Sequence, residues 1–80
     1  MSVKLVFLGK LADLAGAPES DVAGPLGWQA LLDALPGPLG DAARGDKVKL
    51  ALNGTVLAEK TALAANDGDE VALLPPVSGG

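Results

Sequence analysis

Eighty residues make one small domain, a size at which folding buries only about 60% of the surface the open chain exposes. With no Cys and no His, disulfides, imidazole or thiolate metal ligands and cysteine nucleophiles are excluded, so stability must come from an aliphatic core. The 49% hydrophobic composition, with one Phe, one Trp and no Tyr, fits that demand, while a net charge of -4 opposes a nucleic-acid or anionic-membrane surface.

Val3 to Leu8 reads as a strand bounded by Gly9, with Val3, Leu5 and Phe7 on one face and Lys4, Val6 and Leu8 on the other. Leu11 to Ala15 is a short helical turn stopped by Gly16 and Pro18. Glu19 to Ala23 is a weak second strand, closed by Gly24-Pro25. Trp28, Leu31, Leu32 and Leu35 then follow the i, i+3, i+4, i+7 spacing of one buried helix face, with Gly27 at the N-cap and Pro36-Gly37-Pro38 as the stop. Leu39 to Asp46 is expected to be a Gly-containing connection holding at most one helical turn around Ala42 and Ala43.

Lys47 to Leu52 alternates, placing Val48, Leu50 and Leu52 inward and Lys47, Lys49 and Ala51 outward. Asn53-Gly54 is a hairpin turn, because both residues tolerate positive φ, and Thr55 to Leu57 returns as a short strand. After a loop anchored by Leu63, Asn66-Asp67-Gly68-Asp69 makes a second tight turn into a final strand, Glu70 to Leu74. Pro75-Pro76 ends that strand. The expected fold is α+β, a β-grasp of about five strands in a mixed sheet with one main helix, the first and last strands adjacent. Residues 1–74 form the body and 75–80 an extended tail.

The tail, Pro75-Pro76-Val77-Ser78-Gly79-Gly80, suggests function. Two prolines favour an extended path, and glycines lack the Cβ that would clash in a narrow channel. The carboxylate of Gly80 is a group that a partner enzyme could activate as an acyl-adenylate. The second suggestive feature is the sheet face turned away from the helix. Val6, Leu8, Val56, Ala72 and Leu74 fall on it, where a solvated face should alternate to polar residues; a contiguous apolar patch there points to a protein interface. The carboxylates are scattered through turns, which gives no paired acid and base, and a self-contained enzyme is not expected. No apolar run approaches the ~20 residues of a membrane span, and the stretch between Lys4 and Lys10 is too short for a signal peptide; a cytoplasmic location is expected.

Phe7, Leu11, Asp13, Leu14 and Gly16, then Asn53-Gly54, Asn66-Asp67-Gly68-Asp69-Glu70-Val71 and Pro75-Pro76-Val77-Ser78-Gly79-Gly80 carry a resemblance. The chain resembles the small, sulfur-carrier subunits of molybdopterin synthase (MoaD-like, in the ubiquitin-like ThiS superfamily). The resemblance implies that Gly80, preceded by Gly79, is adenylated by a ubiquitin-activating-like (MoeB-like) enzyme using ATP and then carries sulfur as a thiocarboxylate. It implies no permanently bound cofactor and insertion of the tail into a large (MoaE-like) subunit, in a heterotetramer. That subunit holds the catalytic side chains and converts cyclic pyranopterin monophosphate to molybdopterin. Val6, Leu8, Val56, Ala72, Leu74, Pro75, Pro76, Val77 and Ser78 form the expected partner surface. The chain departs from the family in having Leu73 and Leu74, where aromatics are frequent, and Gly27 in place of a Ser or Thr helix cap. Carriers for thiamine thiazole synthesis or tRNA thiolation share the fold and the Gly-Gly end but generally lack Pro-Pro. A non-catalytic ubiquitin-like interaction module remains a further alternative.

Overall fold

The computed structural model describes residues 2–35 and 37–76. Its core is a mixed five-stranded sheet in the order β2-β1-β7-β4-β5, formed by β1 (Val3–Phe7), β2 (Glu19–Val22), β4 (Lys49–Leu52), β5 (Thr55–Val56) and β7 (Glu70–Leu74). β1 and β7 run parallel at its centre, with Leu5 opposite Val71 and Phe7 opposite Leu73; the other pairs are antiparallel. One face of the sheet is packed by helices, and Val3, Leu5, Phe7, Leu50, Val71 and Leu73 are all buried in a single apolar cluster there. This is the β-grasp arrangement expected from the order of strands and helix, with the first and last strands adjacent.

α1 (Lys10–Ala15) follows β1 and ends at Gly16, whose φ of 77° closes the helix through a left-handed turn. α2 (Trp28–Ala34) buries Leu31 and Leu32. Leu35, also buried, leaves the helix with extended backbone, as the residue before a proline must. Trp28 is only half-buried and packs at the margin of the cluster. At Asn53 (φ 50°) and Gly54 (φ 86°) the chain makes the tight turn that joins β4 to β5, with Leu52 opposite Thr55. The second turn closes through a 2.9 Å bond from Asp69 N–H to Asn66 C=O.

Two features differ from the sequence expectation. The stretch read as a connection forms α3 (Gly37–Arg44), which buries Leu39, Gly40 and Ala43. Glycine and proline lower its intrinsic propensity, and packing supplies what propensity does not. Gly40 packs against the end of α2, where a Cβ would stand at ordinary contact distance, 3.9 Å, from Leu35 Cβ and from the Leu32 carbonyl. Lys60 then secures the C-terminal end of α3. Its ammonium donates to the carbonyl of Ala43 at 2.7 Å and to that of Gly45, and lies 5.6 Å from the centre of the Trp28 ring. Partial burial lowers the pKa of Lys60, offset in part by Asp46.

The second difference is a two-stranded ribbon. β3 (Leu26–Gly27) pairs with β6 (Ala64–Ala65), which follows a 3-10 turn at Lys60–Ala62. The ribbon fixes the entry to α2, because Gly27 is both its N-cap and the partner of Ala64. Leu26 and Ala65 of the ribbon and the preceding Leu63 are buried. Two alanines carry little strand signal, so pairing at this position was invisible in the sequence.

Candidate functional site: the outer sheet face and the tail base

The face of the sheet opposite the helices is organised by strand register. Directly opposed residues point to the same side of a sheet, and Val6 opposes Ala72, Ala72 opposes Ala51, and Ala51 opposes Val56. The result is an uninterrupted apolar row across four strands. One step toward the end of β7, Leu74 lies opposite Lys49. On its other side is Leu8, whose N–H donates to Leu73 C=O at 3.3 Å. Val6, Leu8, Val56, Ala72 and Leu74, expected on one face, are therefore brought together. Leu8 is 42% and Val56 55% exposed, while Val6, Ala72 and Leu74 are half-buried between neighbouring strands.

Three participants were not included in the expected surface. Ala51, outward by the alternation of its strand, is only 6% exposed and forms the floor of the apolar row. Lys49, also outward, borders the row beside Leu74. Gly9 seats the base of the tail. Its backbone (φ 55°, ψ -131°) is one that side chains avoid, and a Cβ built there would meet Pro75 Cγ at 3.2 Å. Pro75 is accordingly half-buried against the β1–α1 turn, and Pro76 is exposed. The signal for Gly9 was present only as a strand boundary.

Val77, Ser78, Gly79 and Gly80 lie outside the described residues, and the expectations placed on them are not addressed by the geometry. What the fold does fix is the exit: β7 delivers the chain to Pro75 at the sheet end bordered by Leu8, Leu74 and Lys49.

The far end of the same face is polar. Lys4 lies opposite both Asp21 and Glu70, and its ammonium sits 4.0 Å from Glu19 in an exposed pair, which contributes little stability. The turn before β7 is tied down by its own carboxylates. Asp69 accepts from Asn66 N–H at 2.9 Å and from the Asn53 amide at 3.2 Å, and these bonds hold its pKa below the usual carboxylate value. Asp67 accepts from Gly24 N–H at 2.9 Å. Asp67, Asp69 and Asn53 thus serve the fold.

Among the described residues no group of three or more His, Cys, Asp or Glu side chains could hold a metal ion, and no helix is long and apolar enough to cross a membrane. The groove at Ala12, Asp13, Gly16, Ala17 and Pro18 contains one titratable side chain, Asp13.

With this geometry in hand, the comparison with known proteins is direct: residues 5–80 match the ThiS family. The chain belongs to that family. This ThiS-family chain is 34% identical, over an alignment of 83 positions, to the molybdopterin synthase sulfur carrier subunit of Drosophila melanogaster, covering 100% of the chain and 92% of that protein. Its fold is similar to that of SAMP1 from Haloferax volcanii, with a TM-score of 0.71 and 33% identity, covering 100% of both chains. It is also similar to small archaeal modifier protein 1 from Methanosarcina acetivorans, with a TM-score of 0.75 and 28% identity, covering 99% of this chain and 96% of that one.

Proposed function

We propose that this chain is a sulfur carrier for molybdopterin synthesis, with Gly80 as the residue that is charged and the outer sheet face as the surface that partners read. The observation that carries the reading is the ThiS-family match running through to Gly80, together with full-chain likeness to a relative named as a sulfur carrier subunit. In this reading an adenylating enzyme of the ubiquitin-activating type joins the Gly80 carboxylate to AMP from ATP, with loss of pyrophosphate. A sulfur donor then displaces AMP and leaves a thiocarboxylate. Residues 75–80 act as a tail that enters the large subunit of the synthase, which supplies the catalytic side chains.

The apolar row of Val6, Ala72, Ala51 and Val56, with Leu8 and Leu74 beside the tail base, supports docking at that face. Val77 and Ser78 complete the partner surface in this reading. The test is removal of Gly79 and Gly80. The shortened chain is expected to keep its fold, to bind the large subunit through the sheet face, and to support no molybdopterin synthesis. Full activity from the shortened chain would defeat the proposal.

A second reading, protein modifier, is favoured by the 33% identity to SAMP1 across the whole of both chains. Appearance of a covalent adduct between this chain and other proteins, in cells supplied with the activating enzyme, would support it over the carrier role.

A further inference from the structure

The outer face is electrically lopsided along the strands, and the asymmetry is centred on the tail exit. At one end lie Asp21 and Glu70 opposite Lys4, with Asp69 in the turn before β7, while Glu19 lies opposite Val6 at the edge of the apolar row. At the other end, Lys49 stands beside Leu74, Lys47 is in the turn that leads into β4, and Lys10 follows Gly9, against which Pro75 is seated. All three lysines are exposed, and none forms an ion pair with a described residue.

The two ends are far enough apart to act separately. From the Lys4 row to the Leu8–Leu74–Lys49 row is four residues along the strand, roughly 13 Å at ~3.3 Å per residue, and the screening length at physiological salt is only about 8 Å. Three of the chain's six basic residues thus lie on or next to the segments that frame the tail exit, in a protein whose net charge is -4. A uniformly acidic partner would be repelled by the whole; a local match at the exit is required.

Building on the proposed docking role, we infer that the face receives a protein whose tail-accepting cleft carries carboxylates around its mouth. These carboxylates meet Lys10, Lys47 and Lys49, while uncharged or basic groups meet the Asp21–Glu70 end. The apolar row supplies adhesion, and the charge gradient sets the orientation that aims the tail into the cleft. Rim charges of this kind act mainly on association rate and orientation.

The test uses the full chain and the molybdopterin synthase large subunit of the same organism, with association followed by stopped flow at low and high salt. The variant Lys10→Glu/Lys47→Glu/Lys49→Glu is expected to associate about tenfold or more slowly at about 0.01 M salt. Arg44→Glu, a reversal on the helical side, changes the rate less than about threefold, and the contrast collapses near 1 M salt, where screening acts within about 3 Å. Circular dichroism checks that both variants are folded. Equal slowing by Arg44→Glu, or no slowing by the lysine variant, overturns the inference. Leu74→Asp separates this from the underlying reading: if it abolishes binding while the lysine variant binds normally, only the charge assignment falls. If Leu74→Asp binds as the unaltered chain does, the docking face itself is wrong.

Discussion

The two faces of the central sheet are built from the same residue types and do different work. On the inner face, Leu5, Leu50, Val71 and Leu73 have at most 1% of their surface exposed and meet α2, α3 and the β3–β6 ribbon. On the outer face, Val6, Ala72, Ala51, Val56, Leu8 and Leu74 form an equally apolar row with no element of this chain covering it among the described residues. A leucine on one face maintains the fold, and on the other it is available to a partner. Aliphatic content alone therefore does not distinguish structural from recognition residues; strand parity does.

Substitution on each face is the strongest way to break this contrast. Leu50→Ala should cost about 2–5 kcal/mol, since it opens a cavity under a fully buried position. That is enough to unfold a large fraction of so small a domain, as urea titration would reveal. Leu74→Asp should cost about 1 kcal/mol or less in the same titration, yet remove binding of the large subunit in calorimetry. Comparable stability losses for the two would mean that the faces are not functionally distinct.

Gly9 links the two faces, because it turns the chain from β1 into α1 and seats Pro75. Gly9→Ala should cost about 1–3 kcal/mol from backbone strain and displace Pro75, read as a chemical-shift change at Leu8 and Leu74. A smaller effect is expected at Lys60, which belongs wholly to the helical side. Lys60→Met should destabilise by about 1 kcal/mol through loss of the hydrogen bonds to Ala43 and Gly45 carbonyls and of the Trp28 contact, leaving partner binding unchanged.

The smallest effect is electrostatic. Asp69 has its folded-state pKa lowered by hydrogen bonds from Asn66 and Asn53. Its stabilising contribution is complete above the ordinary carboxylate value and is lost as pH falls through the lowered value, because the unfolded chain then binds the proton more readily. Asp69→Asn should slightly lower the unfolding midpoint near neutrality, where that contribution is complete, and flatten the acid limb in midpoints measured against pH.

The elements that could be read in the sequence are those with strong local periodicity or obligatory turn chemistry. Val3 to Phe7, Glu70 to Leu74 and Asn53-Gly54 fall in this class, and with them the parity that gathers the outer patch. What could not be read depends on partners distant in the chain. α3 is held by burial of Leu39 and Ala43 and by Lys60 from a later loop; the alanines of β6 pair only because Leu26–Gly27 passes beside them. Ala51 became part of the site through its two cross-strand neighbours, Ala72 and Val56. The seat of Pro75 on Gly9 likewise joins residues 66 positions apart in sequence.

In the proposed function, sulfur is carried on the carboxyl carbon of Gly80. Intact-mass spectrometry after incubation with the adenylating enzyme, ATP and a sulfur donor tests it most directly. The full chain should gain the mass of one oxygen replaced by sulfur, localised by fragmentation to Gly80, and the chain lacking Gly79 and Gly80 should gain nothing. An unchanged full chain beside a control carrier converted by the same enzymes, or sulfur found anywhere but the terminal carboxyl, would contradict the account.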